Sequence, residues 1–261
     1  MKILVTVKQV PDTSGKVAVN PDGTLDRASM QTIINPDDLN AVEAALALKD
    51  ELGCKVVAFT MGPPPAEGML RELMAMGVDE GVLVTAREFG GSDTYATSQI
   101  IAAAIDTYGI EKDDIILAGR QAIDGDTAQV GPEMAEILGL PHVAYVKKIR
   151  EVTESEVVCE REIETGVEVI RVKLPAVLTV LKDINVPRLP SYRMKMEGKE
   201  KETPVWGIAD LGLQENQVGM EGSVTTVMKT FTPDPRGNCR MIEGSEEEMI
   251  GALLPVIEAV Q

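Results

Sequence analysis

Apolar and polar positions follow two alternating rhythms over the first half of the chain. Lys2 to Val7 is a short Val/Ile/Leu run, the pattern of a strand buried on both faces. Asn35-Pro36-Asp37-Asp38 then opens a helix: Asn caps, Pro takes the first helical position, and two carboxylates meet the positive end of the dipole. Leu39, Val42, Ala45, Leu46 and Leu48 recur at helical spacing until Gly53. The alternation repeats three times. Strands are predicted over Lys55 to Thr60, Val82 to Thr85 and Asp114 to Ala118, and helices over Glu67 to Met76, Thr94 to Tyr108 and Thr127 to Leu138. Four strand–helix pairs in series imply right-handed crossovers and an α/β fold with a parallel, doubly wound sheet.

The texture changes after Pro141. Val143 to Val152, Val157 to Glu162, Val167 to Val172 and Ala176 to Leu181 are β-rich, with a hairpin turn at Glu164-Thr165-Gly166, and are expected to add antiparallel strands at a sheet edge. Pro11 to Gly23 is polar and rich in turn residues. Beyond Pro187 periodicity fades, past a charged stretch from Lys195 to Glu202, until a terminal helix capped by Ser245 runs to Val260. Such an extended segment reads as an arm that wraps a partner or as a tail.

Composition narrows the chemistry. The formal net charge is −17, and aromatic residues make up 3% of the chain, so a basic footprint and stacking platforms for nucleic acid are both missing. His142 is the single histidine, which removes His-based triads and multi-histidine metal sites, so no metal is expected. Cys54, Cys159 and Cys239 are odd in number and lack C-x-x-C spacing, as free thiols of a reducing compartment do. No signal segment and no apolar run of roughly 18 residues is present, so a soluble cytoplasmic protein is expected. The 13 methionines read as core filler and adaptable interface.

In an open parallel sheet, ligands bind beyond the carboxyl ends of the strands. Four loops converge there: the one after Val7, Met61 to Pro65, Phe89 to Asp93, and Gly119 to Asp126. The last joins a strand to a helix whose first turn would hold Thr127, Ala128 and Gln129, and free amides plus the dipole make such a start an anion site. Gly119 and Gly125 allow close backbone approach. Asp124 and Asp126 would repel a phosphate and instead accept from ribose hydroxyls or loop amides, with Arg120 as compensating charge. An equally good reading makes Asp126 a helix cap, Asp124 a turn residue and Arg120 a surface charge. Neither a G-x-G-x-x-G nor a P-loop motif occurs.

Several segments together resemble the beta subunit of electron-transferring flavoproteins. They are Val5-Thr6-Val7-Lys8-Gln9-Val10, Asn35-Pro36-Asp37 followed by Ala41-Val42-Glu43, Thr60-Met61-Gly62-Pro63, Gly119-Arg120-Gln121-Ala122-Ile123-Asp124-Gly125-Asp126, and Glu160 to Glu168 continuing through Val172 to Thr179 and on to Pro187-Arg188. Their order and spacing cover nearly the whole chain. The resemblance implies an adenine nucleotide along the four loops. It carries cofactor-binding roles to Thr6, Val7, Lys8, Asn35, Asp37, Asp38, Thr60, Met61, Gly62, Phe89, Gly90, Gly91, Asp93, Thr94 and the run from Gly119 through Arg120, Gln121, Ala122, Asp124, Gly125, Asp126, Thr127, Ala128 and Gln129 to Val130.

In many members the nucleotide is a structural AMP; in the subgroup performing flavin-based electron bifurcation it is a second FAD that takes hydride from NADH. The run Asp124 to Pro132 and the loop Phe89 to Thr94 look like the bifurcating subgroup, and Ala128 and Val130 depart from the Asn-Gln-Thr run common in AMP-type members. The resemblance further implies an alpha subunit with its own FAD, a flavin dehydrogenase of acyl-CoA or hydroxyacid type, and ferredoxin as low-potential acceptor; the composition already argues against nucleic acid and membrane insertion. The dehydrogenase-docking loop would be Pro190 to Met196, with Tyr192 in place of the family's leucine and Arg193 and Met194 beside it. The division implied is a nucleotide-binding domain over 1–186 and a docking loop with a C-terminal arm on the alpha subunit over 187–261. A reading from another class, a nucleotide-responsive regulatory protein on the same sheet, would need no alpha subunit.

Overall fold

A computed structural model describes residues 1–12, 32–198, 201–228 and 241–259. Most of the Pro11-to-Gly23 stretch, part of the Lys195-to-Glu202 stretch, and Cys239 lie outside the described residues.

The strands are β1 Lys2–Thr6, β2 Gln9–Pro11, β3 Thr32–Ile34, β4 Lys55–Met61, β5 Glu80–Val84, β6 Ile115–Gly119, β7 His142–Val152, β8 Glu156–Ile163, β9 Gly166–Lys173, β10 Ala176–Val180 and β11 Val205–Trp206. The helices are α1 Pro36–Leu52, α2 Glu67–Met76, α3 Thr94–Tyr108, α4 Val130–Ile137, α5 Tyr192–Gly198, α6 Gly219–Gly222 and α7 Glu246–Glu258. Among the described residues, nine strands form one sheet in the order β11-β5-β4-β1-β6-β10-β7-β8-β9, and β2 pairs with β3 separately. From β11 to β7 the pairs are parallel; β8 and β9 run antiparallel.

Alternate residues of each central strand feed opposite faces. Ile3, Val5, Val56, Ala58, Ile115 and Leu117 meet α1 and α2 through Ala41, Val42, Leu46, Leu70 and Leu73. Leu4, Val57, Phe59 and Ile116 meet α3 and α4 through Ile100, Ile105 and Met134. Both layers are therefore covered, which is the Rossmann-like arrangement expected.

Two expectations change. The segment from Ala176 does not lie at an edge: β10 sits between β6 and β7, parallel to both, and all five of its residues are buried. A continuous apolar strand favours that central slot, whereas β9 alternates and stays largely exposed at the rim. The hairpin turn is where the sequence places it, with Ile163 paired to Gly166. The stretch after residue 187 is also not all arm. β11 adds to β5, with the Leu83 amide donating to the Pro204 carbonyl (2.9 Å) and the Thr85 amide to the Trp206 carbonyl (2.8 Å). Trp206 closes an aromatic trio with Phe59 and Tyr108, ring centroids 6.4 Å from each.

Among the described residues, those up to Met228 form one compact unit and residues 241–259 belong to a second. That unit contributes α7, opened by a capping box in which Ser245 accepts from the Glu248 amide. Ile250, Leu253, Leu254 and Ile257 on this helix are exposed. Pro190 to Met196, read as a loop, mostly forms α5: the Ser191 amide donates to the Ala75 carbonyl, and Ser191 Oγ accepts from the Met194 amide at the helix start.

Candidate functional site

The strand order reverses at β1, whose neighbours β4 and β6 lead in opposite directions, and a crevice opens there between the loops that follow β1 and β6. One side chain ties these loops together. Asp38, buried in the first turn of α1, accepts from the Lys8 amide through Oδ2 (2.8 Å) and from the Gly119 amide through Oδ1 (3.1 Å). Burial pushes its carboxyl up to about 7, against the opposing pull of those donors. Asp37 is also raised, first by burial, with Arg120 acting the other way across 3.7 Å.

Asn35 stands at the helix-cap position but does not cap. Its side chain donates to the Gln121 carbonyl (2.8 Å) and accepts from the Ile123 amide (3.1 Å), so it pins the β6 loop to α1. Asn there thus serves tertiary bonding, and the helix start is fixed by Pro36 and the buried aspartates. Lys8 Nζ reaches both oxygens of Asp124 at 2.8 Å, and Gln121 Nε2 donates to Asp126 (2.7 Å).

The helix after this loop begins at Val130, not Thr127. Asp126 (φ 52°) and Ala128 (φ 55°) are left-handed, which a helical turn does not tolerate, and the residue at the cap position is Gln129, not Asp126. Among the described residues the amides of Thr127, Ala128 and Gln129 donate to no acceptor, and all three residues line the crevice. A left-handed residue followed by a right-handed one turns successive amides toward a common point, the concavity that binds anions.

From there a cavity of about 970 Å³ runs along the carboxyl ends of the strands, past Met61 and Gly62, to the loop Phe89 to Thr94. That loop is held from behind by the segment after β11. The Asp93 amide donates to Ser223 Oγ (2.9 Å), the Gly219 amide donates to Ser92 Oγ (3.0 Å), and Met220 packs so closely on Gly91 that a Cβ there would lie 2.6 Å from its Cγ.

Of the residues singled out in the sequence, Thr6, Val7, Lys8, Asp38, Met61, Gly62, Phe89, Gly90, Gly91, Asp93 and Thr94 line this cavity. So do Gly119, Arg120, Gln121, Ala122 and Gly125 through Val130. Asn35, Asp37, Asp124 and Thr60 do not; the first three hold the walls, and Thr60 is fully buried. Sequence reasoning missed Thr85, Ala86, Arg87, Thr97 and Ile101 in the lining. The first three follow the end of β5, so the rule that placed the other loops also signals them. Tyr192 and Arg193 are exposed on α5, away from the cavity, and Met194 is half-buried toward Gly77.

Among the described residues no cluster of three or more His, Cys, Asp or Glu is set to hold a metal, and no helix is long and apolar enough to cross a membrane. Cys54 and Cys159 are buried free thiols, and burial pushes the latter up to about 11.

A doubly wound sheet with an apolar-walled cleft and free amides at its switch point defines a Rossmann-like ligand-binding protein. The electron transfer flavoprotein domain matches residues 22–211. Relatives include the acryloyl-CoA reductase electron transfer subunit gamma of Anaerotignum propionicum, 52% identical over 97% of each chain. The caffeyl-CoA reductase–Etf complex subunit CarD of Acetobacterium woodii is 46% identical over 97% of each. The electron transfer flavoprotein subunit beta of Clostridium acetobutylicum is 47% identical, covering 95% of this chain and 94% of its own. The chain belongs to the electron transfer flavoprotein family, as a beta-type subunit, and its role is in electron transfer.

Proposed function

We propose that the cleft holds FAD, and that the chain works with an alpha subunit to bifurcate electrons from NADH between a flavin dehydrogenase or reductase and a low-potential acceptor such as ferredoxin. The observation that carries this reading is one continuous cavity reaching from the free amides of Thr127 to Gln129 to the loop Phe89 to Thr94. Its volume, about 970 Å³, lies near the top of the roughly 300–1,000 Å³ range of cofactor sites, which suits a dinucleotide. The names of the relatives from Anaerotignum propionicum and Acetobacterium woodii, both subunits of acyl-CoA-type reductase systems, support the same reading.

Bound flavin would supply hydride acceptance and electron release. The chain would do the rest. Thr127, Ala128 and Gln129 offer amides to the pyrophosphate, Gly119 and Gly125 let backbone come close, and Arg120 adds positive charge. Phe89 gives an apolar flank that keeps water from the ring. The exposed apolar set Val186 (88%), Leu189 (89%) and Tyr192 (81%) forms the dehydrogenase-docking face, and the exposed side chains of α7 pack on the alpha subunit.

A second reading, structural AMP with all redox chemistry in the alpha subunit, draws on the phosphate end being complete by itself at the switch point. The two separate cleanly. The subunit pair is purified, its absorbance recorded and its nucleotides extracted and counted. Two FAD per pair, with direct bleaching by NADH, is the expected result; one FAD and one AMP with no bleaching overturns the bifurcating reading.

A further inference from the structure

Among the described residues, one cation of the cleft has no acidic partner. Lys8, Arg87 and Arg120 are the basic side chains that line the cavity. Lys8 is taken by Asp124 at 2.8 Å, and Arg120 faces Asp37 at 3.7 Å. Arg87, exposed in the single turn Arg87–Phe89, forms no ion pair or side-chain hydrogen bond among the described residues. The neighbouring acid, Glu88, does not line the cavity.

The position of Arg87 along the sheet separates it from the phosphate end. The strand order β5-β4-β1-β6 puts three strand spacings, about 14 Å, between the end of β5, which leads into Arg87, and the end of β6. On the FAD reading, with the pyrophosphate on the amides of Thr127 to Gln129, the guanidinium at the end of β5 is placed to meet the other half of the ligand. Phe89 and Gly90-Gly91 line the same end, one apolar, the other two without side chains to obstruct a flat ring.

We propose that Arg87 is a specificity residue for the ring half of a dinucleotide, facing the flavin ring and favouring its reduced, negatively charged state. This rests on the FAD reading above. In the reduction, the hydride of NADH delivers two electrons and one proton to the ring, which leaves a single negative charge on it and NAD⁺ as product. An unpaired guanidinium beside that charge binds the reduced ring more tightly than the oxidised one, and charge at the ring edge is a recognised lever on flavin potential. AMP, lacking this half, gains nothing from Arg87.

The test uses the full chain loaded with FAD, its Arg87→Gln and Arg87→Lys variants, and AMP as a second ligand. Arg87→Gln should lower the affinity for reduced relative to oxidised FAD about tenfold, seen as a two-electron midpoint about 30 mV more negative, with AMP affinity unchanged. Arg87→Lys, which keeps the charge, should retain most of the wild-type potential. An unchanged midpoint in Arg87→Gln, or FAD and AMP affinities that fall together, overturns the assignment. A wild-type chain that takes AMP and refuses FAD instead refutes the FAD reading before any variant is compared.

Discussion

Asp93 and Thr225 are joined by a two-point clamp: Oδ2 of Asp93 accepts from both the amide (2.8 Å) and the hydroxyl (2.9 Å) of Thr225, while Oδ1 caps α3 through the Ala96 amide (3.0 Å). One carboxylate therefore starts a helix, fixes the cavity loop that precedes it and anchors the segment that follows β11. Burial works against its charged form, but the donors from Ala96 and Thr225 outweigh that and hold the carboxyl below the usual aspartate range.

Thr225→Val removes the hydroxyl donor and keeps the amide. The loss should be about 1 kcal/mol, the ordinary worth of one such bond. It should appear as faster hydrogen exchange at residues 89–94, with the exchange of β1 and β6 unchanged; Thr225→Ser should restore protection. Because the folded carboxyl lies below its unfolded value, the clamp contributes at neutral pH and is lost only as pH falls through that depressed value. Exchange at 89–94 that is already fast at pH 6 would contradict this.

Asp38 has the opposite sign. Its folded carboxyl is raised to about 7, so between the unfolded aspartate value near 3.9 and pH 7 the folded chain holds a proton that the unfolded chain has lost. Stability must then fall as pH rises through that window, by at most about 4 kcal/mol. Asp38→Asn keeps one acceptor but turns a donor toward a second amide, costing about 1–3 kcal/mol outright. The difference in urea midpoint between wild type and Asp38→Asn should therefore narrow from pH 4 to pH 7.5. A difference independent of pH would show that Asp38 does not titrate there.

The architecture was legible because its signals are local. Buried strands write themselves as apolar runs, and Gly53, Gly77 and Gly109 end helices where the chain must turn left-handed. Two kinds of feature were not legible. The place of β10 in the sheet depends on pairing with β6, some sixty residues back along the chain, and β11 is too short to carry any periodicity. The start of α4 depends on Asp126 and Ala128 adopting conformations that neither residue type announces, Ala least of all. In the site, loops after strands could be assigned by position alone, whereas the diversion of Asn35 from capping to loop-pinning required the partner atoms on Gln121 and Ile123.

On the docking reading, Tyr192 acts only in the encounter with a dehydrogenase. It is exposed at the start of α5, while Arg188 anchors the approach to it by gripping Glu43 at 2.8 and 3.0 Å and Asp50 at 2.8 Å. Tyr192→Ala should leave stability within about 0.5 kcal/mol of wild type and leave nucleotide content intact. Coupled electron delivery to the dehydrogenase should slow about tenfold, as for loss of an interface anchor. Unchanged coupled turnover would remove this residue from the interface.

Two glycines, one ending β6 and one in the loop that follows it, make opposite predictions. A Cβ on Gly119 would collide with Asp38 Oδ1 and lie 2.6 Å from the Asp37 carbonyl carbon and 2.7 Å from the Asp38 amide nitrogen, so backbone, not a side-chain tip, would have to move. Gly119→Ala should push β6 off the start of α1, break the Asp38 bond to the residue-119 amide and cost about 3 kcal/mol or more, the range for overpacking compounded by a lost buried bond. Gly125, six residues on, has nothing within 4 Å of a Cβ and no left-handed φ, so Gly125→Ala should fold with wild-type stability. The same variant still narrows the approach to the cleft, so it should lower nucleotide retention while its urea midpoint stays put. Equal urea midpoints for the two alanine variants would mean that the close packing of β6 on α1 does not hold in solution.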